Sequence, residues 1–203
     1  MITASEAINK LKSGNQRFVN GERDVATPVK DVLLAKFIEG QAPFAVILGC
    51  SDSRVPAEIV FDQSLGDLFV IRVAGNIVAP SQIGSVEFAV ERYGTPLVVV
   101  LGHSMCGAVI ATLDELNGIG ESTSSNVLSI VKRIRPTVEP LFMTELREQP
   151  DLLLESSIKA NILASTNQLR HGSELLEQKI QDGKLAIVGA EYSLETGVVQ
   201  FLD

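Results

Sequence analysis

The chain predicts an α/β fold: a central, mostly parallel sheet flanked by helices, with an antiparallel edge strand and an N-terminal helical arm. Short apolar runs rich in β-branched residues recur at 44–48 (FAVIL), 68–73 (LFVIRV), 97–101 (LVVVL) and 185–190 (LAIVGA). None alternates polar with apolar, which is the pattern of strands buried on both faces. Helical patterns at 56–62, 81–93, 106–116 and 151–171 separate them, the rhythm of right-handed crossovers.

The elements follow in order. The N-terminus opens a helix: Thr3 and Glu6 stand at capping-box spacing, and Ile8, Leu11 and Phe18 keep one face apolar. It begins an arm expected over 1–35 and lacks the apolar core and cleavage site of a secretion signal. The loop 117–126 (NGIGESTSSN) is rich in turn formers and supplies an N-cap for a helix through 127–134. After the last parallel strand, a turn at Glu195–Gly197 sends "TGVVQFL" back as the antiparallel edge.

With 203 residues, 45% hydrophobic and 21% charged, the chain suits a single domain, 1–203, with a full core. Its 25 acidic residues against 17 basic, a net charge of −8, argue against a nucleic-acid partner, because neutralising phosphates takes a clustered basic surface. The longest basic cluster, "VKRIRP" at 131–136, reads as a solvated helix face. No stretch approaches the ~18–20 apolar residues of a membrane span. The expected location is the cytoplasm, where Cys50 and Cys106 are reduced thiols or metal ligands rather than a disulfide.

In open α/β sheets, ligands bind beyond the carboxyl ends of the strands, where the chain order reverses. The first strand ends in "GCSDSRVP" (49–56) and the third in "GHSMCGA" (102–108). If these strands are neighbours in a 2-1-3 order, Cys50, His103 and Cys106 meet at one point. Two thiolates and an imidazole favour zinc, and three protein ligands leave a fourth position open, as catalytic sites do. Asp52 and Arg54 stand beside this set; Asp52 can accept a hydrogen bond from an activated water while Arg54 holds it in place.

Other readings compete. "GHSMCGA" resembles a G-x-S-x-G nucleophile elbow, but Cys106 takes the place of the second glycine, and the triad histidine would have to be His171. His171 precedes Gly172, where a helix end accounts for it. A Cys–His nucleophile pair leaves one cysteine idle. A zinc-stabilised, non-catalytic binding domain has no use for Asp52 and Arg54 or for an open fourth position.

Taken together, "CSDSRVP" and "GHSMCGA" resemble the β-class carbonic anhydrases, zinc enzymes that interconvert carbon dioxide and bicarbonate. The resemblance runs from about Glu6 to Phe201, including "GDLFVIRVAGN" and "GAEYSLETGVVQFL". It implies zinc on Cys50, His103 and Cys106, with Asp52 and Arg54 as the neighbouring dyad. It implies a substrate pocket with Gln41 as hydrogen-bonding amide, Phe69 as an aromatic wall, and Phe88 where the family often has tyrosine. Gly102 and Gly107 match the glycines flanking the second zinc loop. Homodimers, often paired into tetramers, are implied, with the N-terminal helix reaching across to the partner. Ile47 stands where a subclass inhibited by bicarbonate carries tryptophan, although Arg72 and Tyr192 match its other two members. The implied chemistry is attack of zinc-bound hydroxide on carbon dioxide, giving bicarbonate and a proton. Two thiolates cancel the charge of the metal, so activity is expected to rise into the alkaline range. Hydrolysis of carbon disulfide or carbonyl sulfide is the alternative on the same scaffold.

Overall fold

The apolar runs become β1 (Ala45–Gly49), β2 (Leu68–Arg72), β3 (Leu97–His103) and β4 (Ala186–Tyr192), and the terminal segment becomes β5 (Val199–Leu202). In the computed structural model, which describes residues 2–23, 38, 40–119 and 124–202, they form one sheet in the order β2-β1-β3-β4-β5. The first four run parallel, and β5 lies antiparallel on β4. Every residue of β1 and β3 is buried, because helices cover both faces of the sheet. That double burial is why these runs show no alternation.

One face carries α1 (Ala4–Asn20) and the short α2 (Ala57–Val60). Thr3 Oγ1 accepts the Glu6 amide at 3.2 Å while the Glu6 carboxylate accepts the Thr3 amide at 2.6 Å, so the expected capping box is present. Ala7 and Leu11 are fully buried in a cluster with Ile47, Phe61 and Val99. Asn15 pins the helix down: its Nδ2 donates to the carbonyls of Val60 and Gly197, and its Oδ1 accepts the Val199 amide. The helix therefore lies on the sheet of its own chain. The remainder of the arm expected over 1–35, from 24 on, falls outside the described residues.

The other face carries α3 (Pro80–Tyr93), α4 (Gly107–Leu116), α5 (Ser125–Phe142), α6 (Pro150–His171) and α7 (Glu174–Gln181). Two of these exceed expectation. α5 was expected over 127–134 but runs through Pro136 and Pro140. An interior proline costs about 3 kcal/mol. Here Val131, Ile134, Val138 and Phe142, buried at helical spacing, outweigh that cost. α7 was not anticipated; Ser173 caps it, accepting the Leu176 amide. Residues 120–123 of the expected loop lie outside the described set.

The order β2-β1-β3 reverses the sequence in which strands are added at the parallel pair β1 and β3, and Gly49 stands level with Leu101. The carboxyl ends of these two strands open at a shared crevice.

Candidate metal centre

Cys50 directly follows β1, His103 ends β3, and Cys106 caps α4. The turn between the last two passes through the left-handed region at Met105, φ 56°, which folds Cys106 back beside His103. The ligand-capable atoms of Cys50, His103 and Cys106 all lie within 4.8 Å of one another, and all three residues are buried. His103 Nδ1 is engaged by the Ser104 carbonyl at 2.8 Å, which aims Nε2 at the two sulfurs. Nε2 is buried and has no hydrogen-bond partner among the described residues. A buried imidazole nitrogen left without a partner is costly unless a ligand satisfies it. Two thiols and this nitrogen make a donor set suited to zinc.

The thiols are electrically unequal without metal. A hydrogen bond from Cys106 holds Cys50 down to about 4. The same bond, and then burial, pushes Cys106 up. Burial disfavours charge on His103, yet the Cys50 thiolate and the Ser104 carbonyl shift it upward overall.

Asp52 and Arg54 stand where the sequence places them. Arg54 Nε and Nη2 reach the two Asp52 oxygens at 2.9 and 2.7 Å, and the Arg54 amide adds a third bond at 3.0 Å. These bonds hold the Asp52 carboxyl far below the usual carboxylate range. Asp52 Oδ2 lies 3.9 Å from His103 Nε2, so the carboxylate faces the ligand set while Arg54 faces solvent.

Gln41, Phe69 and Phe88 are gathered elsewhere. Gln41 Nε2 donates to the Tyr93 hydroxyl at 2.9 Å, and the rings of Phe69, Phe88 and Tyr93 contact one another with centroids 5.9–6.3 Å apart. Phe69 is level with Val46 near the start of β1, whereas Cys50 follows its end. Gln41 precedes β1 altogether. At ~3.3 Å per residue, the four steps from Val46 to Cys50 put about 13 Å between the level of Phe69 and the first cysteine. Within one chain, these residues do not meet the metal ligands.

Several contacts around the centre escaped the sequence reading. Arg72 Nε and Nη2 bond the carbonyls of Cys50 and Asp52 at 3.0 and 2.5 Å, tying the ligand loop to β2. The Gly75 amide reaches Cys50 Sγ at 3.3 Å, and Tyr93 orients Gln41. No local motif announces such bonds, because they join segments distant in sequence. Gly102 is required by packing: a Cβ there would come within 2.4–2.5 Å of Ile162. Gly107, by contrast, has open space around it. The elbow reading fails on geometry, since Ser104 Oγ accepts the Leu194 amide and His171 sits exposed at the end of α6.

Residues 45–199 match the family model described as carbonic anhydrase. Carbonic anhydrase 2 of Mycobacterium tuberculosis is 40% identical over 189 residues, which cover 92% of this chain and 87% of that protein. The carbonic anhydrase of Mycolicibacterium smegmatis is 41% identical over 192 residues, covering 94% and 89%. Among solved structures, the β-carbonic anhydrase CcaA matches with a TM-score of 0.78 at 27% identity, covering 98% of this chain and 88% of that one. A tetrameric β-carbonic anhydrase from Sordaria macrospora shares the fold, with a TM-score of 0.69 at 22% identity and coverage of 98% and 94%. Because the match takes in well over half of the sequence and both strand ends that meet at the crevice, the chain belongs to the β-carbonic anhydrase family, enzymes that hydrate carbon dioxide.

Proposed function

We propose that this carbonic anhydrase works with one zinc ion per chain, held by Cys50, His103 and Cys106, and that Asp52 orients the reacting water. The observation that carries the reading is the buried His103 Nε2, without a partner among the described residues and enclosed with two sulfurs inside 4.8 Å. When bound there, zinc supplies Lewis-acid activation of water as a nucleophile at near-neutral pH. Asp52, kept ionised by Arg54, accepts a hydrogen bond from the nucleophile and turns a lone pair toward carbon dioxide. Arg54 also satisfies both carboxylate oxygens, which keeps Asp52 from competing as a fourth ligand. Arg72 holds the loop that carries both Cys50 and Asp52, so the two move as one unit.

Gln41, Phe69 and Phe88 serve as the substrate wall in a homodimer, or in a tetramer built from it, where the cluster of one copy approaches the ligand set of the other. What supports this is their separation from Cys50 within the chain together with the 53% exposure of Phe88. Apolar rings suit carbon dioxide, and the Gln41 amide suits its oxygens or those of bicarbonate. Inhibition by a second bicarbonate is not expected: Ile47 is fully enclosed in the core, and Arg72 is committed to two carbonyls. Two free, buried cysteines fit a reducing compartment such as the cytoplasm. Among the described residues no helix is long and apolar enough to cross a membrane.

Stopped-flow carbon dioxide hydration, run beside metal analysis of the purified protein, tests the reading. Near-stoichiometric zinc with hydration activity is the expected result. Activity that persists unchanged after complete zinc removal would overturn it.

A further inference from the structure

We infer that Asn161 is a positioning residue for the metal centre, acting through the backbone of Gly75 on the sulfur of Cys50. The inference rests on the zinc reading above. Cys50 Sγ accepts a hydrogen bond from the Gly75 amide at 3.3 Å, and the carbonyl of the same Gly75 accepts one from Asn161 Nδ2 at 2.9 Å. Asn161 is only 4% exposed, in the body of α6, and 86 residues separate it from Gly75. A polar side chain so enclosed is costly unless paired, and here its pairing leads to a metal ligand.

The intervening turn, Ala74–Asn76, needs outside support. Gly75 at φ 69° and Asn76 at φ 43° are consecutive left-handed residues, and for Asn76 that conformation carries strain. Gly75 is wedged as well: a Cβ would come within 2.8 Å of Ile134 on α5 and 2.9 Å of Ala108 on α4, the helix that Cys106 caps. At this positive φ a side chain would be strained as well as crowded. Asn161 closes the third side by gripping the carbonyl.

The consequence is chemical. Two thiolates and a neutral imidazole cancel the formal charge of a divalent zinc. An N–H directed at one sulfur draws charge off that thiolate and returns part of the Lewis acidity to the metal. Outer partners of this kind commonly change metal affinity or activity by about 10–100-fold. Loss of the Asn161 grip should let the turn relax and weaken the N–H···S bond without removing a ligand.

The test uses the full-length protein loaded with ¹¹³Cd or Co(II) in place of zinc, with NMR and absorption as readouts. In the cadmium form, the Gly75 amide proton should show scalar coupling to ¹¹³Cd across the hydrogen bond, and the Asn161 side-chain amide should show coupling to the Gly75 carbonyl carbon. Asn161→Leu, near in volume but without a donor, and Asn161→Ala should keep the metal and weaken the cadmium coupling. Both should move the sulfur-to-cobalt charge-transfer band to lower energy and weaken zinc binding about 10-fold. Metal bound with no coupling at Gly75, or no coupling from Asn161, overturns the inference even if neither variant folds. An unmoved band and full coupling in folded variants overturn it too. Failure to take up any metal overturns the zinc reading itself, and is told apart by metal content alone.

Discussion

The two ends of β1 are built differently. At its carboxyl end, Cys50, His103 and Cys106 are buried and all come from one chain; the Arg72 side chain and the Gly75 amide hold Cys50, and the Ser104 carbonyl engages His103. At its amino end, Gln41, Phe69, Phe88 and Tyr93 form an aromatic cluster in which the Phe88 ring is half exposed. A metal site demands ligand positions good to a few tenths of an ångström. Adjacent strands of one sheet deliver that. An apolar wall for a small gas demands only shape and dryness, and a second copy can provide both. On the function proposed above, the metal end is complete in one chain, while the aromatic end takes a partner surface.

Removing a ligand should break the metal end outright. Cys106→Ser is expected to lose most of its zinc and fall to background hydration, read by metal analysis and stopped flow, because an alcohol is a far poorer zinc ligand than a thiolate. Full zinc content in both Cys50→Ser and Cys106→Ser would refute the assignment. Next in size is Asp52→Asn, which should keep zinc but lower kcat by about 10²–10⁴-fold, the range of a positioned proton acceptor. In Arg54→Ala the freed carboxylate is expected to reach the metal, with a crystal structure showing an Asp52 oxygen at about 2.0–2.2 Å.

The aromatic end should respond in another way. Phe69→Ala is expected to leave zinc stoichiometric, lower kcat/KM, and weaken self-association seen by analytical ultracentrifugation. Activity per chain of the unaltered protein should fall on dilution as monomers form, with metal retained. Constant activity in a demonstrated monomer would erase the contrast between the two ends.

Two glycines beside the metal loop sharpen the comparison at smaller scale. Gly102→Ala drives a methyl into Ile162 and should cost about 1–3 kcal/mol in urea unfolding. Gly107→Ala meets nothing and should stay within about ±0.5 kcal/mol. The smallest effect concerns pH. The folded-state pKa of Asp52 is depressed, so its pairing with Arg54 stabilises above the ordinary carboxylate pKa and is lost as pH falls through the folded value. The Tm difference between the native protein and Asp52→Asn should therefore hold steady above about pH 5 and shrink only in stronger acid. Because Arg54 is exposed, the difference itself should be small.

Local chemistry was legible in the amino-acid sequence. Continuous β-branched runs announced doubly buried strands, Thr3 and Glu6 announced a capped helix, and one cysteine with one His-x-x-Cys loop after such strands announced a cluster of two thiols and an imidazole at one crevice. Helix lengths were less legible. Prolines within 125–142 argue locally for a break, and only packing of Val138 and Phe142 into the core beside α4 and α6 overrides them.

What the sequence determined by itself was the set of strands, the ligand types and the Asp52–Arg54 pair, since all of these depend on residue identity and near-neighbour spacing. Tertiary structure alone decided which distant groups steady the centre: Arg72 across one strand, Gly75 across a left-handed turn, and Asn161 from a helix 86 residues further on. It also decided that Gln41, Phe69 and Phe88 assemble at the far end of β1, because a parallel register places Phe69 level with Val46 rather than with Gly49. Spacing along a chain carries no information about such pairings; they follow from which strands lie side by side and from how helices fill the space above them.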